Sequence, residues 1–295
     1  QRPEGGWLWK ISGNGLSHPS YLFGTYHGTY DILYQYTDSI PELHQAFNAC
    51  SQFAGESETT SKPTPAQVGA AIKLPKDTTY ADLLNKEDFH FLDSIVRQSL
   101  KSPLNKVYIK PNFLALILGE IEKGKKLVDT GYSQSRIDSM KSQVMDIALE
   151  KKAKEKGLTI VGLEGIFDAF VSEKSNLKKE ADELISDLRE DDEISPLSFV
   201  NTLSDVYRTQ NMKSLIDFEV KVDSIFRTSP KLTEIGKRIR EDLLKRRNLN
   251  WMNKIPELMK AQPTFIAVGV RHLPGKDGLI ALLLEKGYQV EPIGL

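Results

Sequence analysis

Four titratable residues in this chain each follow a short apolar run that ends on, or within three residues of, a glycine. They are His27 in YLFGTYH, Glu56 in QFAGESE, Glu164 in TIVGLEG and His272 in FIAVGVRH. Neutral imidazole is a common ligand for transition metals and a general base near neutral pH. Two histidines and one carboxylate, leaving coordination positions open, form a recurrent catalytic metal arrangement. The spacing differs from the helical H-E-x-x-H pattern, so the fold must assemble any such site from distant segments. A glycine such as Gly24 or Gly269 at the last strand position lets the backbone turn sharply or approach a ligand. Glu58, two residues past Glu56, shares its face if that strand continues.

The same residues have structural readings. The histidines suit the capping of strand ends, and a buried carboxylate suits an ion pair with arginine. KRRNLNWMNKI at 245–255 offers Arg246 or Arg247 for that pairing, or for binding a substrate carboxylate or oxyanion. His18 in a turn, and His44 and His90 on amphipathic helices, read as structural or surface residues.

The elements that must position these groups follow from periodicity. WLWKISGNGLSHPSYLFGTYH reads as two short strands around a turn, with Gly, Asn, Ser and Pro supplying the turn. TDSIPELHQAFNAC predicts a helix capped by Asp38 or Ser39, with Pro41 in its first turn. SQFAGESE is a short buried strand. Residues from about 63 to 155 carry apolar side chains at three- and four-residue spacing, which predicts helices up to a stop at Gly157. LTIVGLEG is again a strand. Helices return from about 166 to 261, with KKEADELISDLREDDE read as their solvent-facing part. TFIAVGVRH is a strand, KDGLIALLLEKG a helix stopped by Gly287, and YQVEPI a last strand. The expectation is an α/β fold: one domain over 1–295 with a central mixed sheet flanked by helices, and helical insertions at about 63–155 and 166–261. Strand-to-helix connections place functional residues at strand carboxyl ends, where His27, Glu56, Glu164 and His272 are all expected.

Composition narrows the function classes. A net charge of −1 with interspersed lysines and glutamates gives no basic face for nucleic acid. No run approaches the ~18 apolar residues of a transmembrane segment. Cys50 is the single cysteine, which excludes intrachain disulfides and multi-cysteine zinc sites. Its setting is that of a small buried residue. The start at QRPEGG without methionine fits a mature chain after signal-peptide removal, hence export to the periplasm or outside the cell.

Taken together, LWKISGNGLSHPSYLFGTYH, AGESE, MDIALEKKAKEKGLTIVGLEG, RRNLNWMNKI and FIAVGVRHLPGKDGLIALLLEKGYQVEPI resemble the TraB/GumN family over effectively the whole chain. That family includes the Tiki proteins, metal-dependent proteases that prefer manganese or cobalt, and many bacterial members. Its fold is similar to that of erythromycin esterase-like and haem-binding ChaN-like proteins. The resemblance implies that His27 and His272 are the paired G-x-x-H histidines, with Gly24 and Gly269 as the motif glycines. It matches Glu56 to the glutamate after the second strand unit, Glu164 to the carboxylate of the LE element, and Arg247 and Asn248 to a recurrent pair.

The expectation is then a hydrolase in which His27, Glu56 and His272 hold one divalent metal, manganese or cobalt, that activates water toward an amide or ester. Glu164 or Glu58 would act as base and Arg247 would stabilise the oxyanion, with a peptide or small molecule as substrate. The alternatives are a metal-independent esterase-like enzyme using His27 as base with Glu56, and a non-catalytic cleft for haem or a peptide.

Overall fold

The computed structural model describes residues 5–26, 32–58, 63–168, 176–189 and 196–294. The chain divides into two compact units. One comprises Gln1–Ser61, Met140–Ala169 and Pro196–Leu295, and the other Lys62–Ser139 and Phe170–Ser195.

The first unit is built on a six-stranded mixed sheet. Its strands are β1 (Leu8–Ser12), β2 (Ser20–Thr25), β3 (Gln52–Gly55), β4 (Thr159–Gly162), β5 (Thr264–Gly269) and β6 (Gln289–Pro292), in the order β4-β3-β5-β2-β1-β6. β2 pairs in parallel with β5, β5 with β3, and β3 with β4, whereas β1 runs antiparallel to both β2 and β6. Parallel neighbours require crossover connections, which the helical blocks of the sequence supply. Because β2, β3, β4 and β5 share one direction, their carboxyl ends lie along a single edge of the sheet. All residues of β3 and β5 are buried, as expected for central parallel strands covered on both faces. Phe53 and Phe265 stack at 6.3 Å, and Phe47 of the helix Pro41–Asn48 meets Phe265 edge-on at 5.1 Å. The outer strands β4 and β6 are short and partly exposed, which limits edge-to-edge pairing.

Two helices feed this sheet through the same closure. Met145–Glu155 ends at Gly157 and Leu279–Glu285 at Gly287, each glycine having positive φ. In both, the next residue's N–H reaches back five positions, Leu158 to the Ala153 carbonyl and Tyr288 to that of Leu283. This is the Schellman turn that glycine after a helix allows, and it returns the chain directly into a strand.

Two local expectations change. The helix near residue 40 is capped by neither Asp38 nor Ser39. A 3-10 turn spans Tyr34–Ser39, and the helix starts at Pro41 without a side-chain cap. Asp38 instead lies 3.3 Å from His44 Nε2, and the Ser39 hydroxyl donates to the Tyr36 carbonyl. The charged segment read as solvent-facing forms the helix Leu177–Arg189 in the second unit, where Ala181, Leu184 and Ile185 are buried. They join Leu92, Val96, Leu104 and Leu114 in a core separate from that of the sheet. No described helix is long and apolar enough to cross a membrane.

Candidate functional site

The site grows from the shared carboxyl edge of the parallel strands. β3 and β4 are in register with Gly55 opposite Gly162, and their pairing continues one step beyond the strands. Leu163 N–H donates to the Gly55 carbonyl at 2.9 Å and Glu164 N–H to the Glu56 carbonyl at 2.8 Å. Glu56 and Glu164 are therefore fixed beside each other by backbone pairing. β5 ends at Gly269 and passes into a 3-10 turn, Val270–His272, that carries His272.

A third element completes the cluster. A π-helix over Ile239–Lys245 runs into the short helix Arg246–Trp251, in which Arg247, Asn248 and Trp251 are buried. Their separations of one, three and four residues put all three on one helical face. Wide π turns of this kind occur often at functional sites.

Arg247 sits at the centre. Its Nε donates to the Glu164 carboxylate at 2.9 and 3.1 Å, and its Nη2 donates to Glu164 Oε1 and, at 2.5 Å, to Glu56 Oε2. Nη1 faces the Leu243 carbonyl at 3.4 Å and His272 Nε2 at 3.3 Å. All five N–H donors of the guanidinium thus have protein acceptors. Burial opposes the charge of Arg247, but hydrogen bonds and attraction from Glu164 and Glu56 outweigh it and hold its pKa above the ordinary arginine value. Trp251 donates Nε1–H to Glu164 Oε2 at 3.0 Å. Its ring also lies 4.7 Å from the Arg247 guanidinium and 4.5 Å from the His272 ring. Glu56 Oε1 accepts the Gly269 N–H at 2.7 Å.

Asn248 decides the tautomer of His272. Its Nδ2 lies 3.2 Å from the His272 carbonyl and 2.9 Å from that of Asp277. Carbonyl oxygens only accept, so the amide nitrogen must face them and Oδ1 must face His272 Nδ1, at 2.7 Å. Nδ1 therefore carries the proton in the neutral ring. The lone pair is on Nε2, directed toward Arg247 and 3.8 Å from Glu56 Oε1.

The structure thus brings together Glu56, Glu164, Arg247, Asn248, His272 and the backbone of Gly269. His27 lies outside the described residues. Gly24 closes a packing contact: a Cβ there would lie 2.9 Å from Val270 Cγ2 and 3.1 Å from Val270 Cα, on the turn that carries His272. Glu58 does not continue the strand face of Glu56, because β3 ends at Gly55, and it turns to Lys154 Nζ at 3.5 Å. His18 and His90 are exposed. His44 lies between Asp38 and Lys152, 3.4 Å from the lysine. Trp251 escaped the sequence reading. Its spacing of four from Arg247 and three from Asn248 on one short helix was the available signal.

A family model matches residues 7–292, that of the TraB/PrgY/gumN family. The chain belongs to this family. No curated protein and no solved structure matches it. The match extends across both the strand-rich ends and the helices between them, so the clustered residues all fall within it.

Among the described residues, no group of three His, Cys, Asp or Glu side chains has metal-holding geometry. Glu56 and His272 nevertheless fit two positions of a divalent site. Asn248 binds Nδ1 and leaves Nε2 as the basic nitrogen, the usual support for a metal-ligating histidine. Two glutamates and one arginine leave the cluster a net negative charge, which favours a cation. A cavity of about 160 Å³ adjoins Glu56, lined by Phe53, Gly55, Ser57, Val144, Asp146 and Glu150.

Proposed function

We propose that the protein is a metal-dependent hydrolase of the Tiki kind that cleaves an amide bond in a peptide. His27, Glu56 and His272 are its metal ligands, with manganese or cobalt as the ion. The observation that carries this reading is the Asn248-fixed tautomer. It aims the basic Nε2 of His272 at the sheet edge where Glu56 stands and where β2, the strand preceding His27, ends. The ion, when bound, supplies Lewis acidity to water and to the substrate carbonyl.

The remaining roles belong to the chain itself. Asn248 orients the imidazole and keeps Nδ1 protonated. Gly269 N–H holds Glu56 Oε1 in place. Glu164 is a positioning residue, since Arg247 and Trp251 engage both of its oxygens. Arg247 acts through its charge, held beside the site by Glu164 and the Trp251 ring. The cavity beside Glu56 accommodates a substrate side chain.

Isothermal titration with MnCl2, together with hydrolysis of a quenched-fluorescent peptide library, tests the proposal. The expected result is stoichiometric binding that is lost in both His27→Ala and His272→Ala. Hydrolysis should be abolished by EDTA and restored by manganese. Binding that persists in both variants sinks the metal assignment. A second reading rests on the Arg247 contact to His272: a metal-free hydrolase with a histidine base. EDTA-insensitive hydrolysis that still needs His27 selects it.

A further inference from the structure

The lone pair of His272 Nε2 is the one acceptor left on the ring once Asn248 fixes the proton on Nδ1. Arg247 Nη1 lies against it at 3.3 Å. The adjacent Nη2 holds Glu56 Oε2 at 2.5 Å. One guanidinium therefore contacts both described donors of the proposed metal site. An imidazole lone pair serves an N–H donor or a metal ion, but never both together. We infer that Arg247 is an internal counter-cation competing with the divalent ion for Glu56 and His272, so that the ion binds only by displacing the guanidinium from them.

This inference rests on the metal reading above and deepens it. The surroundings suit such an exchange. Glu164 accepts from Nε and Nη2 on the far side of the guanidinium, and the Trp251 ring lies 4.7 Å from it. Arg247 can therefore give up Nη1 and the Glu56 contact while Glu164 still neutralises it. Without an ion, the same arginine offsets the repulsion between two buried carboxylates and keeps the cluster assembled. Metal affinity would then be set by this competition as well as by the ligands.

The test compares wild type with Arg247→Met/Glu164→Gln. Wild type carries two carboxylates and one guanidinium in the cluster, and the double variant carries one carboxylate alone. Both have the same net charge, and the variant buries no carboxylate orphaned at position 164. Any change in affinity therefore reports the competition for the donors. MnCl2 is titrated by calorimetry, and CoCl2 by its visible absorption bands. The expected result is binding at least ~10-fold tighter in the double variant, the equilibrium equivalent of one charge-assisted hydrogen bond. A guanidinium salt added at millimolar concentration should weaken binding to the variant and leave wild type unchanged. Equal or weaker binding by a folded double variant overturns the inference while leaving the metal site standing. Binding by neither protein sinks the metal reading and the inference with it.

Discussion

Replacing Arg247 by methionine offers a quantitative test of the cluster. Arg247 and Glu164 side chains are each 10% exposed and Glu56 is 17% exposed, so the three charges lie largely out of water. Removing one partner of such a pair costs about 3–5 kcal/mol, because the remaining charge is buried without compensation. For a unit of this size each kcal/mol lowers Tm by about 2–4 °C, so a fall on the order of 10 °C is expected. The sign with pH follows. Without the arginine, burial disfavours the charged forms of the two carboxylates. The penalty is then full at pH 7 and shrinks as pH falls toward the ordinary carboxylate range at about 4, below which both states are protonated and it changes no further. Arg247 itself, with its pKa raised, stays charged throughout this range, so the carboxylates alone set the pH dependence.

Urea unfolding at pH 7 and pH 4 is the assay, run on Arg247→Met, Glu164→Gln and the double variant. Glu164→Gln should recover at least ~2 kcal/mol of the Arg247→Met loss, since neighbours in one network couple. If the single losses add within ~0.5 kcal/mol, or if the Arg247→Met penalty is the same at both pH values, the assignment of a buried compensated cluster is refuted.

Other consequences are more local. Gly24→Ala places a methyl 3.1 Å from the backbone of Val270, so the turn bearing His272 must shift. A loss of about 1–3 kcal/mol in unfolding free energy, together with a moved His272 imidazole signal in NMR, is expected. Burial pushes the Cys50 thiol up to about 12, so iodoacetamide at pH 8 should label the native protein only on unfolding, as read by mass spectrometry. In the second unit, Asp93 is held below the ordinary carboxylate range, first by Arg97 and then by the Leu104 N–H. Its contribution is present above the unfolded pKa and is lost as pH falls through the lower folded value. Asp93→Asn should therefore unfold more readily in urea at pH 7 and differ less from wild type near pH 3.

Much of the architecture was legible because it rests on local rules. Alternating and periodic apolar residues located all six strands and the helical blocks, and Gly157 and Gly287 marked two helix ends through their left-handed conformation. Three described titratable residues after strand ends, Glu56, Glu164 and His272, could be placed on one edge by the βα logic alone. The cap at residue 40 was misread because a 3-10 turn over Tyr34–Ser39 runs directly up to the helix and leaves Ile40, not Asp38 or Ser39, at the cap position. The buried face of Leu177–Arg189 was obscured by its charge density, since three small or aliphatic residues suffice to anchor a helix.

The chain by itself determined which groups were available: two histidines, two carboxylates and one arginine-asparagine pair, each in a recognisable local setting. Only the tertiary structure decided their relations. Parallel register set Glu56 beside Glu164, the helix after the π turn drove Arg247 between them, and Asn248 assigned the proton on His272. These relations depend on contacts between residues far apart in the chain, Glu56 and Gly269 being 213 positions apart. Distances and hydrogen-bond directions across such separations follow from packing, and no local pattern encodes them.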